Sequence, residues 1–291
     1  MKEKDISHAV TRRLQDFHIR PKHNLGQNFL VDDAVYDGIV DAAHLTHDTC
    51  VIEIGTGLGT LTERLAKLSR YVVTVENDHS LIKKLPLVLS QLKNVTLVPG
   101  NVLDIPNNEL FSLFPSSATT YKVVANIPYY ITGKIIQKFI LGDRLPTEII
   151  LMVQKEVAER ISAGPGKMSM LSVVAQSLSD VKILFPVDAK SFFPEPKVRS
   201  AVIRLKPKSH QQSEEQSLET MFKVAKMGFA HRRKKLSKGL SSSLHMAPRD
   251  LEQMFDDFGI SRGARPQELT LLQWENLTQK LVKNGLVVPR S

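Results

Sequence analysis

The run Val-Ile-Glu-Ile-Gly-Thr-Gly-Leu-Gly at positions 51–59 constrains this chain more than any other stretch. A short apolar strand meets three alternate glycines, and the apolar spacing over 58–68 then predicts a helix. A strand that passes through glycines straight into a helix opens a parallel α/β unit. Gly55, Gly57 and Gly59 tolerate positive φ and let a ligand approach the backbone, while the helix that follows offers free N–H groups to an anion. The spacing excludes the dinucleotide fingerprint Gly-x-Gly-x-x-Gly, because position 60 is Thr. Glu76 ends the next apolar run, and an acid placed there accepts both hydroxyls of a ribose. A tight turn beside a surface carboxylate is the plainer alternative.

The same texture recurs along the chain. Cys50–Ile54, Tyr71–Glu76, 95–98, 121–125 and 148–153 predict strands, and 58–68, 81–92 and 131–141 predict helices between them. Strands alternating with helices make a parallel sheet covered on both faces. A helix over 167–178 precedes two late strands, 181–186 and 198–206, expected to close the sheet as an antiparallel hairpin. The stretch 208–217 is polar and predicts a linker; beyond it, Leu and Phe recur only at helical spacings. The expected division is a flexible leader over 1–21, an α/β domain over 22–207, the linker, and a small all-helical domain over 218–291.

Charge narrows the partners. The chain carries a net +9, and residues 208–291 alone hold 14 basic against 9 acidic residues. A basic excess concentrated in an appended domain favours an anionic partner such as nucleic acid. Arg232, Arg233, Lys234 and Lys235 form the densest basic run and are the candidate RNA contacts, with a solvated helix face as the alternative. Cys50 is the single cysteine, so neither an internal disulfide nor a Cys-x-x-Cys metal site is available, and no metal is expected. With no apolar run near the ~18 residues of a membrane span and no secretory leader, a cytoplasmic protein without a membrane partner is expected.

Asn-Ile-Pro-Tyr, 126–129, follows the fourth strand. In an open α/β sheet, ligands sit beyond the carboxyl ends of the strands, so Asn126 faces the crevice of the glycine loop. The pairing suits transfer to an exocyclic adenine nitrogen, whose lone pair is delocalised into the ring. The Asn126 side-chain oxygen accepts one N6 hydrogen and the Ile127 carbonyl the other, which frees the lone pair; Tyr129 stacks on the base, a contact of roughly 1–3 kcal/mol. Asn101, after the third strand, meets a cofactor adenine or merely closes the turn after Gly100.

Glu-x-Gly-x-Gly-x-Gly (53–59) resembles motif I of methyltransferases that use S-adenosylmethionine (SAM). Together with Lys-His-Asn-Leu-Gly-Gln-Asn-Phe-Leu (22–30), Asn-Ile-Pro-Tyr (126–129), Phe-Phe-Pro-Glu-Pro-Lys-Val-Arg-Ser-Ala-Val (192–202), Arg-Arg-Lys-Lys (232–235) and Ala-Arg-Pro-Gln-Glu-Leu (264–269), it resembles the KsgA family of ribosomal RNA adenine N6,N6-dimethyltransferases, in order over about residues 20–280. The resemblance implies a Rossmann-like SAM-dependent methyltransferase sheet with helices on both faces and a helical C-terminal RNA-binding domain. It implies an enzyme that dimethylates two adjacent adenosines in the 3′-terminal hairpin of small-subunit rRNA, acting as a monomer on an immature 30S-type subunit. It places Asn28, Leu30, Gly55, Glu76, Asn101 and Asn126 at the cofactor. Asn126, Tyr129 and Phe192 fall at the target base, with Phe193 the second choice to Phe192 and a hydrophobic plug the alternative for both. The family usually has Asp where this chain has Asn101, and often Asn where it has Tyr130. An Erm-type enzyme acting on large-subunit rRNA and a non-catalytic assembly factor on the same fold are the competing readings.

Overall fold

The computed structural model describes residues 8–19, 21–22, 27–127, 131–208 and 212–288. The chain forms two compact units, Met1–Ala158 with Val181–Pro207, and Glu159–Asp180 with Lys208–Ser291.

The first unit begins with α1 (His8–Asp16), β1 (Phe29–Leu30), α2 (Asp33–Ala42), β2 (Cys50–Ile54), α3 (Thr60–Leu68) and β3 (Tyr71–Glu76). There follow α4 (His79–Ile82), α5 (Leu85–Leu89), β4 (Val95–Pro99), α6 (Asn107–Ser112), β5 (Lys122–Asn126), α7 (Thr132–Ile140), β6 (Glu148–Gln154) and α8 (Lys155–Ile161), whose residues from Glu159 on belong to the second unit. After α9 (Met170–Leu178) of the second unit come β7 (Ser179–Val187), β8 (Phe192–Phe193) and β9 (Ser200–Pro207).

Seven strands form one sheet in the order β4-β3-β2-β5-β6-β9-β7. β2, β3, β4, β5 and β6 run parallel, and β9 lies antiparallel on β6. Helices cover both faces, so the central strands read as unbroken apolar runs: Val51 and Ile52 of β2 and Ile149 to Val153 of β6 are fully buried. The strand order reverses between β2 and β5, because the chain goes from β2 outward to β3 and β4, then returns to the other side of β2. That reversal opens a crevice at the carboxyl ends of the two strands.

Within the elements, three expectations change, and the domain division changes as well. The leader is not free: α1 buries Val10, with Leu14 and Phe17 packed on the same core, an apolar stripe at helical spacing. Arg13 then ties α1 to α3 through Glu63 at 2.6 Å and the Leu58 carbonyl at 3.0 Å. The helix expected over 81–92 is broken into α4 and α5, since Pro86 lacks an N–H and its ring clashes with the preceding turn. The linker expected over 208–217 is helical from Gln212, the first residue of α10 (Gln212–Phe229). Its glutamates and glutamine are good helix formers, and acids suit a helix N-terminus. In that run Glu214, Gln216 and Ser217 are exposed on the helix.

The second unit adds α11 (Leu236–Leu244), α12 (Pro248–Asp256) and α13 (Leu271–Lys283) to α9 and α10. Its core centres on the fully buried Trp274, which stacks on Phe229 at 5.8 Å. A Cβ at Gly228 would come within 2.7 Å of the indole, so that position must stay bare. The segment Glu159–Asp180 belongs to this unit, and the α/β domain is therefore not the continuous 22–207 expected. α9 packs on α10, a pairing between segments far apart in the chain that no local pattern encodes.

Candidate active site

The glycine loop leaves β2 at the reversal of strand order. Gly55, Gly57 and Gly59 have φ of +78°, +58° and +80°, a region that strains residues with a Cβ. Gly55 N–H donates to the Val75 carbonyl at 2.8 Å and Gly59 N–H to Thr56 at 2.9 Å, closing the turn. A Cβ built on Gly55 would lie 3.6 Å from the Asn126 carbonyl oxygen, so the loop runs directly against the end of β5.

Between them lies a cavity of about 360 Å³, within the size range of small-ligand sites. Asn28 and Leu30 from the N-terminal segment, Gly55 after β2, Glu76 ending β3, Asn101 after β4 and Asn126 ending β5 all line it. The two-stranded ribbon of β1 and β8 supplies Leu30, in register with Phe192.

Two carboxylates mark one side. Glu76 Oε2 accepts from Gly57 N–H at 2.9 Å, and Oε1 accepts from the amides of Asn77 and Asp78, each at 2.8 Å. Burial pushes its pKa up, against the pull of those three amides. Asp78 would also be raised by burial, but Lys22 Nζ at 2.6 Å, Ser80 and Gln27 Nε2 at 2.6 Å outweigh it and bring the carboxyl to about 2. Asp78 thus fastens the N-terminal segment beside the cavity.

Residues 19–283 match the ribosomal RNA adenine dimethylase family. The chain belongs to that family. Curated relatives include the ribosomal RNA small subunit methyltransferase A of Pediococcus pentosaceus, 36% identical over 97% of this chain and 97% of the relative. The protein of the same name from Alkaliphilus metalliredigens is 34% identical, over 96% and 98%. Among solved structures, the 23S rRNA methyltransferase ErmE is 28% identical with a TM-score of 0.69, covering 88% of this chain and all of that one. A dimethyladenosine transferase from Plasmodium falciparum, 24% identical over 89% and 99%, shares the fold with a TM-score of 0.71. The cofactor of this family member is SAM.

The residues present fit that cofactor. Gly55 and Gly57 line the cavity without side chains, where a Cβ would meet nothing closer than 3.6 Å, and the Glu76 carboxylate lines the same cavity as an acceptor. Asn126 is half-buried on the wall, and its carboxamide makes no hydrogen bond to the described residues, so both its donor and its acceptor are open to a ligand.

Other sequence expectations land differently. Asn101 caps a single 3-10 turn: its Oδ1 accepts from Leu103 N–H at 3.2 Å and its Nδ2 donates to Asp104 at 3.0 Å. It lines the cavity, but its side chain is first of all a turn former. Phe192 is not on the cavity wall. It is 4% exposed and packs in the core with Leu30 and Val202, facing Leu30 across the β1–β8 pair. Phe193 is 52% exposed. Tyr129 and Tyr130 lie outside the described residues. In the second unit, Arg232, Arg233, Lys234 and Lys235 are exposed in the turn between α10 and α11, rather than on a helix face, with no ion-pair partner among the described residues.

One buried acid escaped notice. Glu53, inside the glycine motif, is fully buried; its Oε2 accepts from Thr62 and Thr74, each at 2.6 Å, and its Oε1 has no partner among the described residues. Burial raises its pKa to about 8, with Glu76 adding repulsion and the two threonines opposing. Thr74 also meets Thr56 of the loop at 2.7 Å, so the acid anchors the loop from below. An acid in the middle of an apolar strand was the available signal.

Proposed function

We propose that this chain transfers methyl groups from SAM to N6 of two adjacent adenosines in the 3′-terminal hairpin of small-subunit rRNA, working as a cytoplasmic monomer on an immature 30S-type subunit. The observation that carries this is the Asn126 carboxamide, without a partner among the described residues, on the wall of the same cavity as Gly55, Gly57 and Glu76. The names of the curated relatives, at 34–37% identity, support the small subunit over the large.

When bound, SAM supplies an electrophilic methyl group. Asn126 Oδ1 accepts one N6 hydrogen and the Ile127 carbonyl the other, which pyramidalises the nitrogen and aims its lone pair. Tyr129 stacks on the base and holds it there. No strong base is needed, since the N6 proton turns acidic once the nitrogen carries the new methyl. Asn126 and Ile127 therefore act by position and by fixed dipoles. Phe192, expected at the target base, packs in the core with Leu30 and not on the cavity wall.

The test is to incubate purified protein and SAM with small subunits from cells lacking the enzyme, then map methylated adenosines. Two adjacent dimethyladenosines in the terminal hairpin are expected. Modification of large-subunit rRNA instead would favour the Erm-type reading, and no modification would favour an assembly factor.

A further inference from the structure

Lys134 is the one cation among the described residues lining the cavity, and none of the roles above uses it. It occupies the first turn of α7. Lys138, four residues on, shares its face of the helix. That face is docked on the segment after β4: Lys138 Nζ donates to the Ile105 carbonyl, and Asn107 Nδ2 donates to the Lys138 carbonyl at 3.2 Å. Lys134 thus sits beside Asn101, Val102 and Leu103, which line the cavity with it. Glu76 at the end of β3 marks the ribose, and Asn101 follows the next strand outward, so this end of the cavity takes the base joined to that ribose. Lys134 is exposed and has no hydrogen-bond or ion-pair partner among the described residues. A lysine that lines a cavity while remaining exposed keeps its methylene stem on the apolar wall and its ammonium in water.

We infer that Lys134 forms the outer wall of the adenine subsite, with its stem packed on the base and its ammonium solvated at the rim. The adenine is common to SAM and to the product S-adenosylhomocysteine. Lys134 therefore holds both ligands equally: it sets cofactor affinity and does not discriminate the transition state. This rests on the SAM assignment and adds a residue to it.

Calorimetry on the full-length protein tests it, with SAM and S-adenosylhomocysteine as separate ligands for wild type, Lys134→Ala and Lys134→Met. Lys134→Ala is expected to weaken both ligands by the same factor, about fivefold, the scale of losing one or two packed methylenes. Lys134→Met, which keeps an unbranched stem, should recover most of that loss. Unchanged affinities in Lys134→Ala would overturn the inference. So would a change for SAM alone, which places the lysine at the charged sulfonium. So would an unmoved cofactor Kd with a raised KM for subunits and a flatter salt dependence, which places it on an RNA phosphate. Wild type binding neither ligand would instead remove the cofactor assignment.

Discussion

Asn126, Glu76 and Glu53 show how one residue type does different work at different depths. Asn126 is half-buried and its carboxamide has no partner among the described residues, so it is available to a substrate. Asn126→Ala should leave the unfolding midpoint near wild type but cut methyl transfer by a hundredfold or more, the scale for removing one preorganised polar group at a reacting centre. Single-turnover rates on small subunits measure this, and a rate within threefold of wild type would remove Asn126 from the chemistry. Glu76 holds the loop through three amides and lines the cavity. Glu76→Ala should weaken SAM by roughly 1–3 kcal/mol, the cost of an unpaired buried polar group, as read by calorimetry. Glu53 carries a pH signature. It keeps its proton to about pH 8 when folded, against an ordinary value of 4.5. Between those values the folded state binds a proton that the unfolded state has lost, so stability falls as pH rises through this window. Glu76 acts in the same direction. Asp78 acts oppositely, its contribution present above pH 3.8 and lost as pH falls toward about 2. Urea unfolding at pH 5, 6, 7 and 8 should show a decline of up to about 1.4 kcal/mol per unit from each such proton, and Glu53→Gln should flatten it. An unaltered slope in that variant would assign the titration elsewhere.

Among the elements, strands were legible and the ends of irregular segments were not. Cys50–Ile54 and Tyr71–Glu76 form as expected, because strands buried on both faces need continuous apolar runs. Pro86 splits the stretch 81–92 into α4 and α5, and α10 begins within the polar stretch 208–217, because an exposed helix turn and a linker share a polar composition. The ribbon of β1 and β8 lies beyond such reasoning: Leu30 meets Phe192 across 162 positions of sequence. Of the two adjacent phenylalanines on that ribbon, Phe192 is core and Phe193 is exposed. Phe192→Ala should cost about 3–5 kcal/mol in unfolding free energy, as for a buried aromatic, whereas the exposed Phe193→Ala should stay within about 0.5 kcal/mol. A Phe192→Ala protein as stable as wild type but unable to methylate would return Phe192 to the target pocket.

For the molecule as a whole, the units divide cofactor chemistry from charge. The sheet unit carries the cavity, and the helical unit carries the basic turn Arg232 to Lys235, exposed and without ion pairs among the described residues. Taking a base out of its stack costs a few kcal/mol, and phosphate contacts elsewhere offset that cost and set the register. Replacing Arg232 and Arg233 by Ala should therefore weaken small-subunit binding, leave SAM affinity unchanged and flatten the salt dependence by ~1 unit of slope per residue. Binding measured across a salt series checks this, and superimposable curves would assign docking to other residues.

The amino-acid pattern alone determined the alternation of strands and helices, the glycine turn and the acid after the next strand, because burial periodicity and positive φ are local demands that each segment meets with its own residues. Tertiary structure decided what depends on distant segments meeting. It folded α1 onto α3 through Arg13, moved Glu159–Asp180 into the helical unit, turned Asn101 toward its own turn and left Asn126 open. It also set Lys134 beside the segment after β4. Which side chains remain unpaired at a cavity wall follows from packing between elements, and no stretch of sequence read by itself contains that information.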